Sequence, residues 1–169
     1  DHYGLSIILG GAESNLWDLA QAYTNLASET EVFARTQHYR TKEFQHLRYT
    51  DTAPLDFGKN TRELPTLRAG ALYKMFNAMK EVNRPTDDIA WRYYESSRKI
   101  AWKTGTSFGN KDAWAIGATP EYVVAVWVGN ATGEGRPTLT GATYAAPVMF
   151  SIFNALPPTS WFSQPLDDL

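Results

Sequence analysis

Lys103, Thr104, Thr106 and Ser107 put an ammonium and several hydroxyls beside one glycine, Gly105. They sit in a β-type run, Ile100-Ala101-Trp102-Lys103-Thr104-Gly105-Thr106-Ser107, with a second strand pattern close behind at Ala113-Trp114-Ala115-Ile116-Gly117-Ala118. Side chains on a strand alternate, so Lys103, Gly105 and Ser107 share one face and Thr104 and Thr106 the other. Gly105 lets another group press close against the backbone. A strand edge offering an ammonium, hydroxyls and free N–H groups suits an extended peptide that ends in a carboxylate.

Composition limits what surrounds this strand. The 169 residues suffice for one domain with a real core. Hydrophobic residues at 43% and aromatics at 14% mark a globular chain. A net charge of −2 points to no nucleic-acid partner. Cysteine is absent, which excludes disulfides and thiolate metal sites. His2, His38 and His46 lack ligand-like spacing, so no metal site is expected, and no organic cofactor motif stands out. The loop Asn130–Arg136 is Gly-rich but lacks the ending of a phosphate loop. No apolar run is long enough to span a bilayer, and no signal peptide precedes Asp1.

The remaining elements must position the lysine strand. Asp1–Glu13 predicts an extended entry with a turn at Gly10-Gly11. Ser14 or Asn15 then caps a helix, with Asp18 in its first turn. Leu16, Leu19, Ala20, Tyr23, Leu26 and Ala27 give that helix one apolar face. Val32–Arg35 and Phe44–Tyr49 read as short strands, and Thr50–Asn60 as a polar loop. Arg35, His38, Arg40, Lys42, His46 and Arg48 make this stretch basic, as a solvated hairpin or a surface for an anionic polymer. Pro65 opens a second helix near Thr66, with Leu67, Ala71, Leu72, Met75, Phe76 and Met79 on its core face, ending at Asn83-Arg84-Pro85. Trp91, Tyr93 and Tyr94 are expected anchors of the loop that follows. Gly109–Asp112 has hairpin-turn chemistry. Tyr122–Gly129 is a strand apolar enough to be covered on both faces. Ala145–Leu156 is a closing helix with Pro147 in its first turn, and the tail Thr159–Leu169 is expected to be loose or to lead to a further domain.

Lys103-Thr104-Gly105-Thr106-Ser107 resembles the third signature of the penicillin-recognising serine enzymes, the penicillin-binding proteins and serine β-lactamases. Its flanks, from Ser96 to Gly109, then Lys111–Gly117, Val124–Gly129 and Ala145-Ala146-Pro147, resemble the end of a class A penicillin-binding protein transpeptidase domain, closest to the 1C group. Tyr3-Gly4-Leu5-Ser6 and Gly10-Gly11-Ala12-Glu13 resemble the same domain just past its second signature. The resemblance implies an α+β fold: a partial β-lactamase/DD-peptidase-like (penicillin-recognising) fold, an antiparallel sheet flanked by helices. Residues 1–157 would be the C-terminal portion of the transpeptidase domain, and 158–169 a tail or linker.

The same resemblance implies D,D-transpeptidation of peptidoglycan by serine acyl transfer, with D-Ala-D-Ala stem peptides and β-lactams as ligands and no cofactor. Lys103 would sit beside the nucleophile. Thr104 and Thr106 would hold the substrate carboxylate, Thr106 would give its N–H to the oxyanion hole, Gly105 would keep the strand open, and Ser107 would join the substrate-binding set. The family's nucleophile lies in an S-x-x-K signature, followed by S-x-N; both are expected on a portion preceding this chain. No Ser-x-Asn occurs here, and Ser96-Ser97-Arg98-Lys99 runs too directly into the Lys103 strand to supply a separate helix facing it. The chain alone is therefore expected to be inactive. A periplasmic location, with a membrane anchor outside the chain, follows from the family. A serine β-lactamase or carboxypeptidase of the same fold, and a non-catalytic relative that binds peptide or a partner, are the alternatives.

Overall fold

A computed structural model describes residues 4–9, 11–42, 44–49, 55–84 and 98–168. Tyr3, Gly10, Trp91, Tyr93, Tyr94, Ser96 and Ser97 lie outside the described residues, as does His2. The expected extended entry is instead a 3-10 turn over Gly4–Leu9.

Helix α1 spans Leu16–Thr36. Asn15 is its N-cap: the side-chain oxygen accepts the Asp18 N–H at 2.8 Å, the bond an N-cap amide is placed to make. The strand expected over Val32–Arg35 is the last turn of this helix. Phe33 lies seven residues after Leu26 and is buried on the inner face, its ring 4.5 Å from that of Tyr39. Packing at helical spacing outweighs the β-propensity of Val32 and Phe33. Gln37 stops the helix in the left-handed region, φ 56°, its N–H on the Phe33 carbonyl.

Phe44–Tyr49 is also not a strand. Side chains of α1 satisfy its backbone in place of a neighbouring strand. Asn25 exchanges two 3.0 Å bonds with the backbone of Gln45, and Gln21 accepts the Leu47 N–H at 2.9 Å. The short strands are β1 (Tyr39–Arg40) and β2 (Asn60–Thr61), paired antiparallel. The basic stretch is not a solvated cationic face throughout: Arg40 is buried against Glu29, and Lys42 pairs with Asp56.

Helix α2 runs Ala69–Lys80, three residues later than Thr66 would begin it. Its N-cap, Arg68, makes no side-chain cap bond. The capping groups come from far along the chain. The Tyr39 hydroxyl accepts the Ala69 N–H at 3.0 Å, and Asp168 Oδ2 accepts the Gly70 N–H at 2.9 Å. Tyr39 in turn donates to Asp168 Oδ2 at 2.8 Å. Leu72 and Phe76 are buried as the spacing predicts.

Burial, reinforced by the neighbouring Asp168 carboxylate, pushes the Tyr39 hydroxyl up to about 12, against the opposing Ala69 N–H. A group raised from about 10 in the unfolded chain contributes stability that is complete below pH 10 and lost as pH climbs towards 12. Two units correspond to about 2–3 kcal/mol. The stability advantage of the natural protein over Tyr39→Phe, measured by urea unfolding, should therefore shrink across that window.

Strands β3 (Ala101–Thr106), β4 (Asp112–Ala118) and β5 (Val123–Gly129) form an antiparallel sheet in that order. Lys103 pairs with Ile116, Thr104 with Ala115 and Gly105 with Trp114. One face buries Ile100, Trp102, Ala113, Ala115, Val124 and Val126 against Met149, Phe150 and Phe153 of α3 (Ala146–Ala155). The other buries Ala101 and Ala118 with Ala27 of α1 and Phe76 of α2. The sheet thus lies between two helical layers, the α+β arrangement expected. Pro147 is in the first turn of α3, as expected, but Val148 and Ile152 face outward. The second face of β5 is covered only near its start, and Trp127 is 38% exposed. Continuous apolarity overstated the cover.

The tail is not loose. Phe162 is buried and stacks on Phe76 with centroids 4.4 Å apart. Trp161 Nε1 donates to Asn77 Oδ1 at 3.1 Å, and the Ser163 N–H to Glu31 Oε1 at 2.7 Å. Two aromatics in the last ten residues have enough apolar surface to bring the chain back onto α2.

Candidate active site

β3 is an edge strand: no strand among the described residues covers its second side. The Ser107 N–H donates to the Asp112 carbonyl at 3.0 Å, which fixes the phase of the ladder. Bonding alternates along an antiparallel pair, so Ser107, Gly105 and Lys103 turn their N–H groups towards β4. Thr104 and Thr106 turn theirs outward, onto the open edge.

The side chains fall as alternation predicts. Lys103 and Gly105 lie on the face of α1 and α2, and both are exposed. The Lys103 ammonium donates to the Thr104 carbonyl, itself an outward group of the open edge. Thr104 and Thr106 lie on the opposite face, where Thr106 Oγ1 accepts the Gly141 N–H at 3.1 Å. Ser107 is set apart: its Oγ accepts the Asp112 N–H at 2.8 Å and closes the β3–β4 turn. The turn carries positive φ at Gly109 (75°) and Asn110 (54°), the glycine and asparagine expected to tolerate it.

Gly141 escaped the sequence reading. It opens a π-helical turn, Gly141–Ala145, capped by Thr140, whose side chain accepts the Thr143 N–H. A Cβ on Gly141 would lie 2.3 Å from the Trp114 carbonyl oxygen and 2.6 Å from that of Gly105. Only a bare backbone fits there, and it is this backbone that reaches Thr106. The signal available was a Thr-Gly pair before an alanine-rich helix start, which carries no long-range information.

Gly105 differs. A Cβ there would meet Trp114 no closer than 3.6 Å, an ordinary contact, and its φ is not in the left-handed region. The fold therefore does not demand glycine at 105. Urea unfolding should separate the two: Gly141→Ala is expected to cost about 1–3 kcal/mol as an overpacked site, and Gly105→Ala no more than about 0.5 kcal/mol. A cavity of about 220 Å³ lies elsewhere, between α1 and the β4–β5 turn, lined by Thr24, Glu31, Arg35, Pro120 and Tyr122.

An exposed lysine, a bare glycine and outward N–H groups thus lie together on one open strand edge. Comparison with known proteins shows what the chain resembles. The chain is 35% identical over 152 residues, 90% of its length, to penicillin-binding protein 1C of Escherichia coli (strain K12), covering 17% of that protein. It is 31% identical over 150 residues, 85% of its length, to penicillin-binding protein 1A of Neisseria gonorrhoeae, covering 18% of it. The chain is thus similar to one part of the penicillin-binding proteins, and spans under a fifth of the length of these relatives. No family model and no solved structure matches it.

Proposed function

We propose that this chain is the C-terminal part of a D,D-transpeptidase domain and supplies its substrate-docking strand. The observation that carries the reading is the open edge of β3, where Thr104 and Thr106 present N–H groups beside Lys103 and Gly105. The bare Gly105, which the fold does not require, fits a position kept clear for a ligand.

In this reading a serine on the preceding portion of the protein attacks the penultimate D-alanine carbonyl of a stem peptide. D-Alanine leaves, and the amine of a second strand takes the acyl group. The Thr106 N–H pairs with the serine's own N–H to hold the oxyanion; one such donor contributes roughly 3–4 kcal/mol to the transition state. Thr104 and Thr106 hydroxyls receive the terminal carboxylate. Thr106 must share its Oγ1 with the Gly141 N–H, which leaves its own O–H free to donate. Lys103 adds positive potential and assists proton transfer at the serine. Ser107 contributes by shaping the turn. No cofactor takes part. A β-lactam would acylate the same serine and remain. No helix among the described residues is long and apolar enough to cross a membrane; the anchor is assigned to another part of the protein, and the site to the periplasmic side of the cytoplasmic membrane.

The test is intact mass spectrometry of the full-length protein and of this chain, each with and without benzylpenicillin. An adduct on the full-length protein and none on this chain is expected. No adduct on either would favour a non-catalytic relative. An adduct on this chain would place the nucleophile within it, at Ser96 or another serine, and the site would have to be rebuilt.

A further inference from the structure

Trp17, Gln21 and Asn25 stand one turn apart on α1, and each holds a residue of the 44–49 segment. Asn25 exchanges bonds with the Gln45 backbone, Gln21 accepts the Leu47 N–H, and the Trp17 ring lies against that of Tyr49. Four helical residues advance about 6 Å, and two extended residues about 6.6 Å. The register Asn25–Gln45, Gln21–Leu47, Trp17–Tyr49 is therefore that of an extended chain laid antiparallel along one helix face. Three successive contacts fix it there. The last of them differs from the other two. The Tyr49 ring is within 17° of parallel to Trp17, with centroids 4.3 Å apart. One face of the ring is thus covered, yet Tyr49 is 85% exposed. The opposite face meets water, held flat by the stack.

The residues that flank the stacked pair are exposed and polar: Asn15 and Asp18 at the start of α1, His46 and Arg48 on the segment. His46 shares its Nδ1 with Gln21 Nε2 at 3.3 Å, which leaves Nε2 for another partner. An apolar protein partner wants a contiguous apolar patch. A single aromatic face in a polar rim suits a pyranose ring instead. Its C–H faces carry slight positive charge and meet the negative face of an aromatic ring, while its hydroxyls need hydrogen-bonding groups at the sides. A second exposed ring, Phe44, lies five residues back, about 16 Å of extended chain. That span favours a chain of several sugars over one. We propose that Tyr49 and Phe44 form a binding ridge for a linear polysaccharide of equatorially linked pyranose rings. Nothing in this arrangement depends on the chemistry at Lys103. The stack on Trp17 holds the Tyr49 ring before any sugar arrives, so the contact costs little ordering.

The experiment titrates N-acetylchitohexaose, a soluble β-1,4-linked hexasaccharide, into full-length wild type, Tyr49→Phe and Tyr49→Leu by calorimetry. Phenylalanine keeps the aromatic face; leucine keeps apolar cover on Trp17 without it. Tyr49→Phe should bind as wild type does. Tyr49→Leu should bind roughly three- to tenfold more weakly, the worth of one aromatic contact. Phe44→Ala removes the other ring of the ridge and should weaken binding by a similar factor; it decides the matter if Tyr49→Leu proves unstable on thermal unfolding. Three results would each overturn the proposal: no binding by wild type, which would return the ridge to a protein partner; Tyr49→Leu and Phe44→Ala binding as well as wild type, which would put the sugar elsewhere on the protein; and Tyr49→Phe losing as much as Tyr49→Leu, which would make the hydroxyl, not the ring face, the contact.

Discussion

Replacing Lys103 with alanine in the full-length protein is expected to slow acylation by a penicillin about 10²- to 10⁴-fold, the contribution of a positioned proton-transfer group. That loss corresponds to about 3–5 kcal/mol of transition-state stabilisation. The structure makes the variant a clean one. The Lys103 side chain is exposed, and its ammonium donates to the carbonyl of the next residue on an open edge. Removing it leaves no cavity and no buried group without a partner, so stability should change by no more than about 0.5 kcal/mol. Thermal unfolding and acylation kinetics on the same preparation would thus show a large chemical effect with a small structural one. Lys103→Arg should recover part of the rate, since it keeps the charge but replaces a compact, rotatable ammonium with a planar fork. Unchanged acylation in the alanine variant would sink the role assigned to Lys103.

The site was legible where its signals are local. Alternation along Ala101–Thr106, a glycine-asparagine turn and a second strand within a few residues are all short-range features, and the hairpin forms as they predict. Which N–H groups face outward was not legible, because that depends on the phase of the ladder, set here by one bond between Ser107 and Asp112. Gly141 was missed for the related reason that its partners lie some thirty residues back, on β3 and β4. The helix starts divide in the same way. Asn15 caps α1 from three residues away and was foreseen, whereas α2 begins where Tyr39 and Asp168 can reach its first N–H groups, 30 and 98 residues distant. Phe162 and Trp161 belong to the core only because Phe76 and Asn77 are there to receive them. Residues 28–63 were the least legible, since their organising contact is a charge pair that composition presents as ordinary surface.

That pair carries the second large expectation. Glu29→Ala should destabilise the protein by about 3–5 kcal/mol in urea unfolding, the usual consequence of leaving one member of a buried ion pair behind. Glu29 is 4% and Arg40 8% exposed. Arg40 Nε donates to Glu29 Oε1 at 2.7 Å, Nη2 reaches the same oxygen, and Nη2 also donates to Ser28 Oγ at 3.1 Å. The guanidinium lies 3.8 Å over the ring of Phe57. One charged group thus ties α1, β1 and the chain leading to β2 together, and α1 in turn covers the sheet face that bears Lys103. Without the carboxylate, Arg40 must either stay dry and uncompensated or pull β1 away from α1 to reach water. A purely electrostatic benefit would predict that removing both charges costs as much as removing one. Desolvation predicts otherwise: Glu29→Leu combined with Arg40→Met, which returns apolar volume to the same space, should recover most of the loss. Recovery in the double variant would locate the cost in the stranded charge; no recovery would mean that the geometry of the pair itself holds β1 against α1.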